Sequence, residues 1–275
     1  MIIEISTSRP YISSQGPKKQ IKMSNPRIYQ NQPITIGDTI TLSDDAFGHT
    51  VRVLRLKEGD ILTLFNGELF NDSFGEYQAE LTNVSKKQAQ VVVKTFTEKN
   101  NESPLNIHLG QGISRGDRMD FTLQKSVELG VNTITPLFTE RCGVKLTGER
   151  LQKKIDQWQK IVVGACEQSG RCTVPIVMPA NYLDEWLAQQ SSSLKLNLHP
   201  KAQYSIMNLP EENQADSKQR VRLLIGPEGG LNDGEIKKAN EASFVDVLLG
   251  PRVLRTETAA LTAITALQCR FGDIK

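Results

Sequence analysis

Apolar side chains recur along this chain with two different periods, and the change between them divides it. From about Arg27 to Phe96 they come in short alternating or β-branched runs, GEYQAELTNV and AQVVVKTF among them, broken by Gly37-Asp38, Gly59-Asp60 and Asn66-Gly67. Side chains that face one way every second residue suit a pleated strand, and Gly beside Asp or Asn suits a tight turn. The segment therefore reads as a small antiparallel β-barrel or sheet. The polar stretch TEKNNESP, residues 97 to 104, ends in Pro104 and gives way at once to an apolar run, so a domain boundary is expected there.

Beyond it strands and helices alternate. Leu105, Ile107 and Leu109 alternate with polar neighbours. Asp117 then opens a helix with Met119, Leu123 and Val127 on one face and Gly130 at its end. VNTITPLF reads as a strand, Leu151, Ile155, Trp158, Val162 and Ala165 as the stripe of a long helix, and LKLNLHP as a strand ending at His199-Pro200. Two strand–loop–helix units follow. In the first, VRLLIG is a continuous apolar strand of the buried parallel type, and Asn232 with Glu235 is a capping-box signal after the glycine loop. In the second, FVDVLLG leads through GPRVLR to a helix with Ala260, Ala263, Ile264 and Leu267 on one face. Alternation of this kind predicts an α/β layer on a mostly parallel sheet. The expected organisation is a basic flexible leader at 1–24, a β-barrel at 25–97 and an α/β domain at 98–275.

Composition narrows the chemistry. The 275 residues are 38% hydrophobic, enough for one large domain or two modest ones, and no stretch has the length of apolar sequence that a membrane span or an export signal needs. A formal charge of +2 creates no global field, so a nucleic-acid site must be a local patch. Cys142, Cys166, Cys172 and Cys269 are too scattered for a zinc knuckle, and His49, His108 and His199 share no close spacing. Reduced thiols in a cytoplasmic protein with no metal and no membrane are expected.

Candidate chemistry concentrates in loops that follow strands. Gly226-Pro227-Glu228-Gly229-Gly230 sits between a buried strand and a helix, where α/β sheets bind ligands, yet it matches neither nucleotide fingerprint. A plain tight turn explains it equally well. The next loop brings Arg252, Arg255 and Glu257 to the matching strand end. A helix start with Thr256 as cap explains Thr256 and Glu257 but not two cations at a positive dipole end. In Gly164-Ala165-Cys166-Glu167-Gln168-Ser169-Gly170-Arg171 a helix cap at Gly170 with Arg171 on the dipole is the simple structural reading. Arg27, Arg52, Arg55 and Lys57 form either a phosphate-contacting face or a solvated one. His108 reads as packed in a strand, and Asp117, Arg118, Lys125 and Glu128 as a charged helix face with i,i+3 pairing.

Together the strings RIYQNQPITIGDTITL, HTVRVLRLKEGDILTLFNG, QGISRGDRMDFTLQKSVELGVNTITPLFTERCGVKL, WQKIVVGACEQSGRCTVP, LLIGPEGGLNDGEI and LLGPRVLRTETAAL resemble the ribosomal RNA small subunit methyltransferase E family, from about Arg27 to Asp273. The resemblance implies a PUA-like β-barrel followed by a SPOUT-type domain with a C-terminal trefoil knot, an exception to ordinary chain connectivity. It also implies a homodimer that uses S-adenosyl-L-methionine to methylate N3 of a uridine in 16S rRNA of the small ribosomal subunit. Rival readings are a SPOUT enzyme acting on another RNA and a catalytically silent RNA-binding assembly factor. The leader and the long ELFNDSFGEYQAE turn, residues 68–76 within it, depart from the family pattern.

By that resemblance the cofactor falls to Leu198, His199, Pro200, Ile225, Gly226, Pro227, Gly229, Leu249, Gly250, Val253, Leu254 and Thr258, and a side chain at Gly226 or Gly250 is expected to block it. Uridine N3 carries a proton at neutral pH, so methylation there needs a base or a cation that stabilises the uridinate. Arg255 is the candidate for the anion, Glu257 for orienting it or taking the proton, and Glu228 for a second base. The RNA-binding set is Arg27, Arg52, Arg55, Arg115, Lys125 and Arg171.

Overall fold

The computed structural model describes residues 25–210 and 220–275; the leader expected over 1–24 lies outside the described residues. Five strands form the N-terminal sheet: Arg27–Tyr29 (β1), Thr39–Thr41 (β2), Ile61–Phe65 (β3), Gly75–Val84 (β4) and Ala89–Glu98 (β5), in the order β1-β3-β4-β5-β2. Gly37, Gly59 and Gly67 take the positive φ that the turn dipeptides predict. Ile28, Leu62, Leu64, Leu81, Val91 and Val93 fill the core beneath it. One pairing departs from the all-antiparallel expectation: β1 runs parallel to β3. The long excursion through β2 and the segment after it gives the chain room to return in the same direction.

That excursion is in part helical, within a segment read in general as β structure. Asp44–Phe47 (α1) is a helical turn capped by the Ser43 hydroxyl, and Gly48–Val53 continues it as a π-turn. HTVRV alternates like a strand, but burial of Ala46 and Phe47 and the bond from the Thr50 hydroxyl to the Ala46 carbonyl, 2.7 Å, fix the helical path. Arg52 therefore stands on a helical turn, and Arg55 follows in a left-handed conformation at φ 58°. The long turn before β4 closes as its own tight hairpin. Phe70 and Ser73 exchange backbone bonds across Asn71 and Asp72, both at positive φ, and Phe70 packs on Tyr77 and Phe96.

The second sheet contains Asn106–Gly112 (β6), Thr133–Phe138 (β7), Ile176–Val177 (β8), Asn181–Tyr182 (β9), Leu194–Leu198 (β10), Tyr204–Ser205 (β11), Arg220–Ile225 (β12) and Val245–Leu248 (β13). Its order is β11-β13-β10-β12-β6-β7-β8, with β9 also on β7, and every pairing is parallel. Helices Asp117–Glu128 (α2), Gly148–Ser169 (α3), Leu183–Leu187 (α4), Asp233–Glu241 (α5) and Thr256–Phe271 (α6) connect the strands. The apolar faces foreseen for α2, α3 and α6 meet in one core with β6 and β12. Gly170 caps α3 in the left-handed region, and Asn232 and Glu235 form the capping box of α5. Because the strands are parallel, the loops after β6, β7, β10, β12 and β13 all emerge at one edge.

Where the two sheets meet, buried charge replaces two of the expected RNA contacts. Arg27 lies 4.7 Å over the Phe65 ring, pairs with Glu76 and donates to the Arg171 carbonyl at 2.9 Å. Arg171 pairs with Glu102 and donates to the carbonyls of Val127 and Val131 at 2.9 and 2.8 Å, its side chain only 5% exposed. The Tyr29 amide donates to Glu167 at 3.0 Å, and burial raises the Glu167 carboxyl above its ordinary range. Arg27 and Arg171 are thus joints between the sheets rather than RNA contacts: a cation so enclosed keeps its place through its partners. Lys125 is half-buried and paired with Glu128 at 2.7 Å, the i,i+3 pair of a charged helix face. Arg52, Arg55 and Arg115 remain exposed.

Candidate active site

At the loop edge of the second sheet, the segments after β10, β12 and β13 enclose a cavity of about 630 Å3. Leu198, His199 and Pro200 come from the first segment, Ile225, Gly226, Pro227, Glu228 and Gly229 from the second, and Leu249, Gly250, Val253, Leu254 and Arg255 from the third. Thirteen expected site residues, scattered over 58 positions of sequence, therefore line one space. Ile236 and Leu248 extend its apolar wall.

Two expected residues face elsewhere. In α6 the chain turns about 100° per residue, so Thr256 and Ala259 face the cavity while Glu257 and Thr258 rotate away from it. Thr258 is exposed; Glu257 is half-buried, and its Oε2 has no hydrogen-bond partner among the described residues. Nor does Thr256 cap α6. Arg255 occupies the N-cap position, and the Thr256 hydroxyl donates to the Gly226 carbonyl at 2.7 Å while accepting from Gln111 Nε2 at 3.0 Å. A carbonyl can only accept, which fixes the hydroxyl's direction. Gln111, fully buried at the end of β6, thus ties the glycine loop to the start of α6.

The glycine loop is also fastened from outside. Glu228 accepts from the Arg115 backbone N–H at 2.9 Å and from Arg118 of α2 at 3.2 Å, so its carboxylate serves as a clamp, a different use from the base expected of it. Arg141, after β7, donates to the carbonyls of Gly229 and Leu231 at 3.0 and 3.5 Å. Arg118 and Arg141 line the cavity although neither was singled out for the site, and Arg252, brought to this strand end by its loop, joins them. The signal was present: ISRGDR and ERCG follow the ends of β6 and β7, the edge shared by every site loop. Behind β10, Asp246 accepts from Asn197 at 2.7 Å and lies 3.8 Å from His199 Nδ1.

The space suits a nucleoside-sized ligand held by apolar walls and main-chain groups. Gly250 has φ +135° with open space where a Cβ would stand, so a side chain there is strained and enters free volume. Gly226 differs from expectation, because its Cβ would meet the loop's own backbone at Leu231 N, 3.1 Å, and Gly230 C, 3.2 Å. A substitution at Gly226 would deform the loop before it touched a ligand. His108, by contrast, is packed edge-on to Trp186 with Nε2 2.7 Å from the Thr135 hydroxyl, and burial, aided by Arg222, lowers its pKa to about 4. It is a neutral core residue at pH 7. No group of three or more His, Cys, Asp or Glu side chains suited to a metal occurs among the described residues. Among them, too, no helix is long and apolar enough to cross a membrane.

Comparison with known proteins places this geometry. A family model described as an RNA methyltransferase domain matches residues 101–268, and one described as an RNA methyltransferase PUA domain matches residues 42–94. The chain is 40% identical over 255 residues to the ribosomal RNA small subunit methyltransferase E of Buchnera aphidicola subsp. Schizaphis graminum, covering 92% of this chain and 100% of that one. It is 31% identical over 247 residues to its namesake from Bacillus subtilis, covering 86% and 92%. Among solved structures, the ribosomal RNA small subunit methyltransferase E of Neisseria gonorrhoeae bound to S-adenosyl methionine superposes with a TM-score of 0.81 at 41% identity, covering 91% of this chain and 100% of that one. A methyltransferase from Legionella pneumophila in complex with the same cofactor gives 0.84 at 45%, covering 91% and 99%. The chain belongs to the ribosomal RNA small subunit methyltransferase E family.

Proposed function

We propose that this protein transfers a methyl group from S-adenosyl-L-methionine to N3 of one uridine in the 16S rRNA of the small ribosomal subunit. The observation that carries the reading is the convergence of three strand-end loops, with Arg255 at the start of α6, on a single cavity of suitable size. The cofactor supplies an electrophilic methyl on a sulfonium, a reaction that requires no metal. The chain's own residues hold, orient and stabilise.

Apolar walls from Leu198, Ile225, Leu249 and Leu254 suit the adenine, and main-chain groups of the loops suit its hydrogen-bonding edge. One lone pair of the Gly226 carbonyl is already taken by Thr256. Arg255, exposed at the cavity, is placed to offset the charge that develops on the uracil oxygens as N3 gives up its proton. Glu228 is engaged in its clamp and Glu257 turns away from the cavity, so of the expected catalytic residues Arg255 is the one left facing the uracil. Residues 25–97 act in RNA docking and residues 98–275 in transfer, within a cytoplasmic homodimer whose SPOUT-type domain carries the trefoil knot.

The test is incubation with labelled S-adenosylmethionine and small subunits from a strain lacking the activity. A methyl on N3 blocks the Watson–Crick edge, so reverse transcription should stop at one uridine. Label in another RNA, or none despite cofactor binding, rejects the reading.

A further inference from the structure

The mouth of the cavity carries more positive charge than its proposed cofactor can use. Four arginines line it, Arg118, Arg141, Arg252 and Arg255, against the carboxylates of Glu228 and Asp233. Arg118 is neutralised by Glu228, whereas Arg141 donates to carbonyl oxygens that leave its charge uncompensated. Arg252 and Arg255 are exposed, and neither has an ion pair or a side-chain hydrogen bond among the described residues. S-adenosylmethionine is itself a cation, with a sulfonium and an ammonium against one carboxylate. One guanidinium suffices for that carboxylate, and each further one repels the sulfonium. The excess therefore matches a second occupant that is anionic.

We infer that Arg141 and Arg252 form a phosphate-binding collar at the cavity mouth, occupied by RNA backbone phosphates beside the nucleotide being methylated, and that filling the collar tightens the hold on the cofactor. This rests on the functional reading above, which puts cofactor and RNA base in the same cavity. A phosphate on a guanidinium removes a repulsion that falls off over the screening length, about 8 Å at physiological salt. Because coupling between two ligands is reciprocal, the bound cofactor strengthens RNA binding by the same factor. Once the methyl has moved, the cofactor product has lost its sulfonium charge and the coupling weakens. The charge that draws in the RNA thus favours the loaded donor only while RNA is present. The collar also replaces the buried Arg27 and Arg171 as sources of phosphate contact near the target base.

The experiment is calorimetry on the full-length protein with S-adenosylmethionine or S-adenosylhomocysteine, with and without a transcript of small-subunit rRNA. The transcript should tighten S-adenosylmethionine binding by about two- to fivefold at low salt, and the neutral product by less. Arg252→Gln should weaken transcript binding and lower the salt slope by about one, while binding S-adenosylmethionine alone at least as tightly as wild type. Arg141→Gln should do the same to the transcript, and Arg141→Lys should restore it, which separates charge from the hydrogen bond to Gly229. Arginine variants that lose cofactor affinity without RNA, and keep transcript binding, overturn the collar and make these residues cofactor ligands. Wild-type protein that binds the donor equally with and without transcript overturns the coupling and leaves the functional reading standing. Failure of wild type to bind S-adenosylmethionine at all overturns that reading itself.

Discussion

Arginines stand at two places in this molecule under opposite conditions. At the joint between the sheets, Arg27 and Arg171 are enclosed, ion-paired and bonded to carbonyl oxygens. At the cavity mouth, Arg252 and Arg255 are open to solvent with no such partners among the described residues. The same side chain is thus a fastener in one place and a free charge in the other, and the number of its partners decides which. From sequence Arg27 and Arg171 count among the RNA contacts, since this difference in surroundings is not visible there.

The largest expected break in that contrast is Arg171→Ala. It strands Glu102 in a half-enclosed site and frees two carbonyls, so unfolding in urea should show a loss of about 3–5 kcal/mol. Arg255→Ala should do the reverse, leaving stability within about 0.5 kcal/mol and lowering the single-turnover rate about a hundredfold or more. A near-normal rate would remove Arg255 from the chemistry.

Arg52→Ala with Arg55→Ala tests whether free charge far from the cavity also counts. If these exposed residues touch phosphate, subunit binding weakens and the slope of log affinity against log salt falls by about two, with cofactor binding intact. An unchanged slope makes that face an ordinary solvated surface. The smallest effect is expected at the joint from Glu167→Gln, which keeps an acceptor for the Tyr29 amide. Burial raises the Glu167 carboxyl, so the folded state holds its proton to higher pH than the unfolded chain does. Its contribution is full below the ordinary value of 4.5 and is lost as pH climbs through the raised one. The Gln variant should therefore match wild type in acid and gain less than about 1 kcal/mol at neutral pH.

The strand-to-helix order of the second sheet was legible because parallel strands are buried on both faces and read as near-continuous apolar runs such as VRLLI, interrupted by Arg222. The cavity loops were legible because glycines and strand ends are local signals. Residues 44 to 53 were not: their helical path depends on Phe47 finding the core, which alternation in HTVRV masks. The buried fate of Arg171 depends on Glu102, 69 positions away, and no local pattern encodes that meeting. Glu257 and Thr258 were misplaced by phase alone, since the first helical residue, Thr256, takes the inward position.

The strand order of the second sheet also governs the timing of folding. At its middle, Val221 of β12 stands opposite Ile107 of β6, although β7 to β11 and three helices intervene along the chain. Loop closure over such a separation is slow, and sheets dominated by it fold late and cooperatively. During synthesis β6, α2 and β7 can assemble while the side of β6 that will receive β12 is still bare, a row of unpaired backbone groups open to other chains. The centre of this sheet is therefore among the last parts to close, and conditions that delay β12, not those that loosen the N-terminal sheet, should govern the yield of soluble protein.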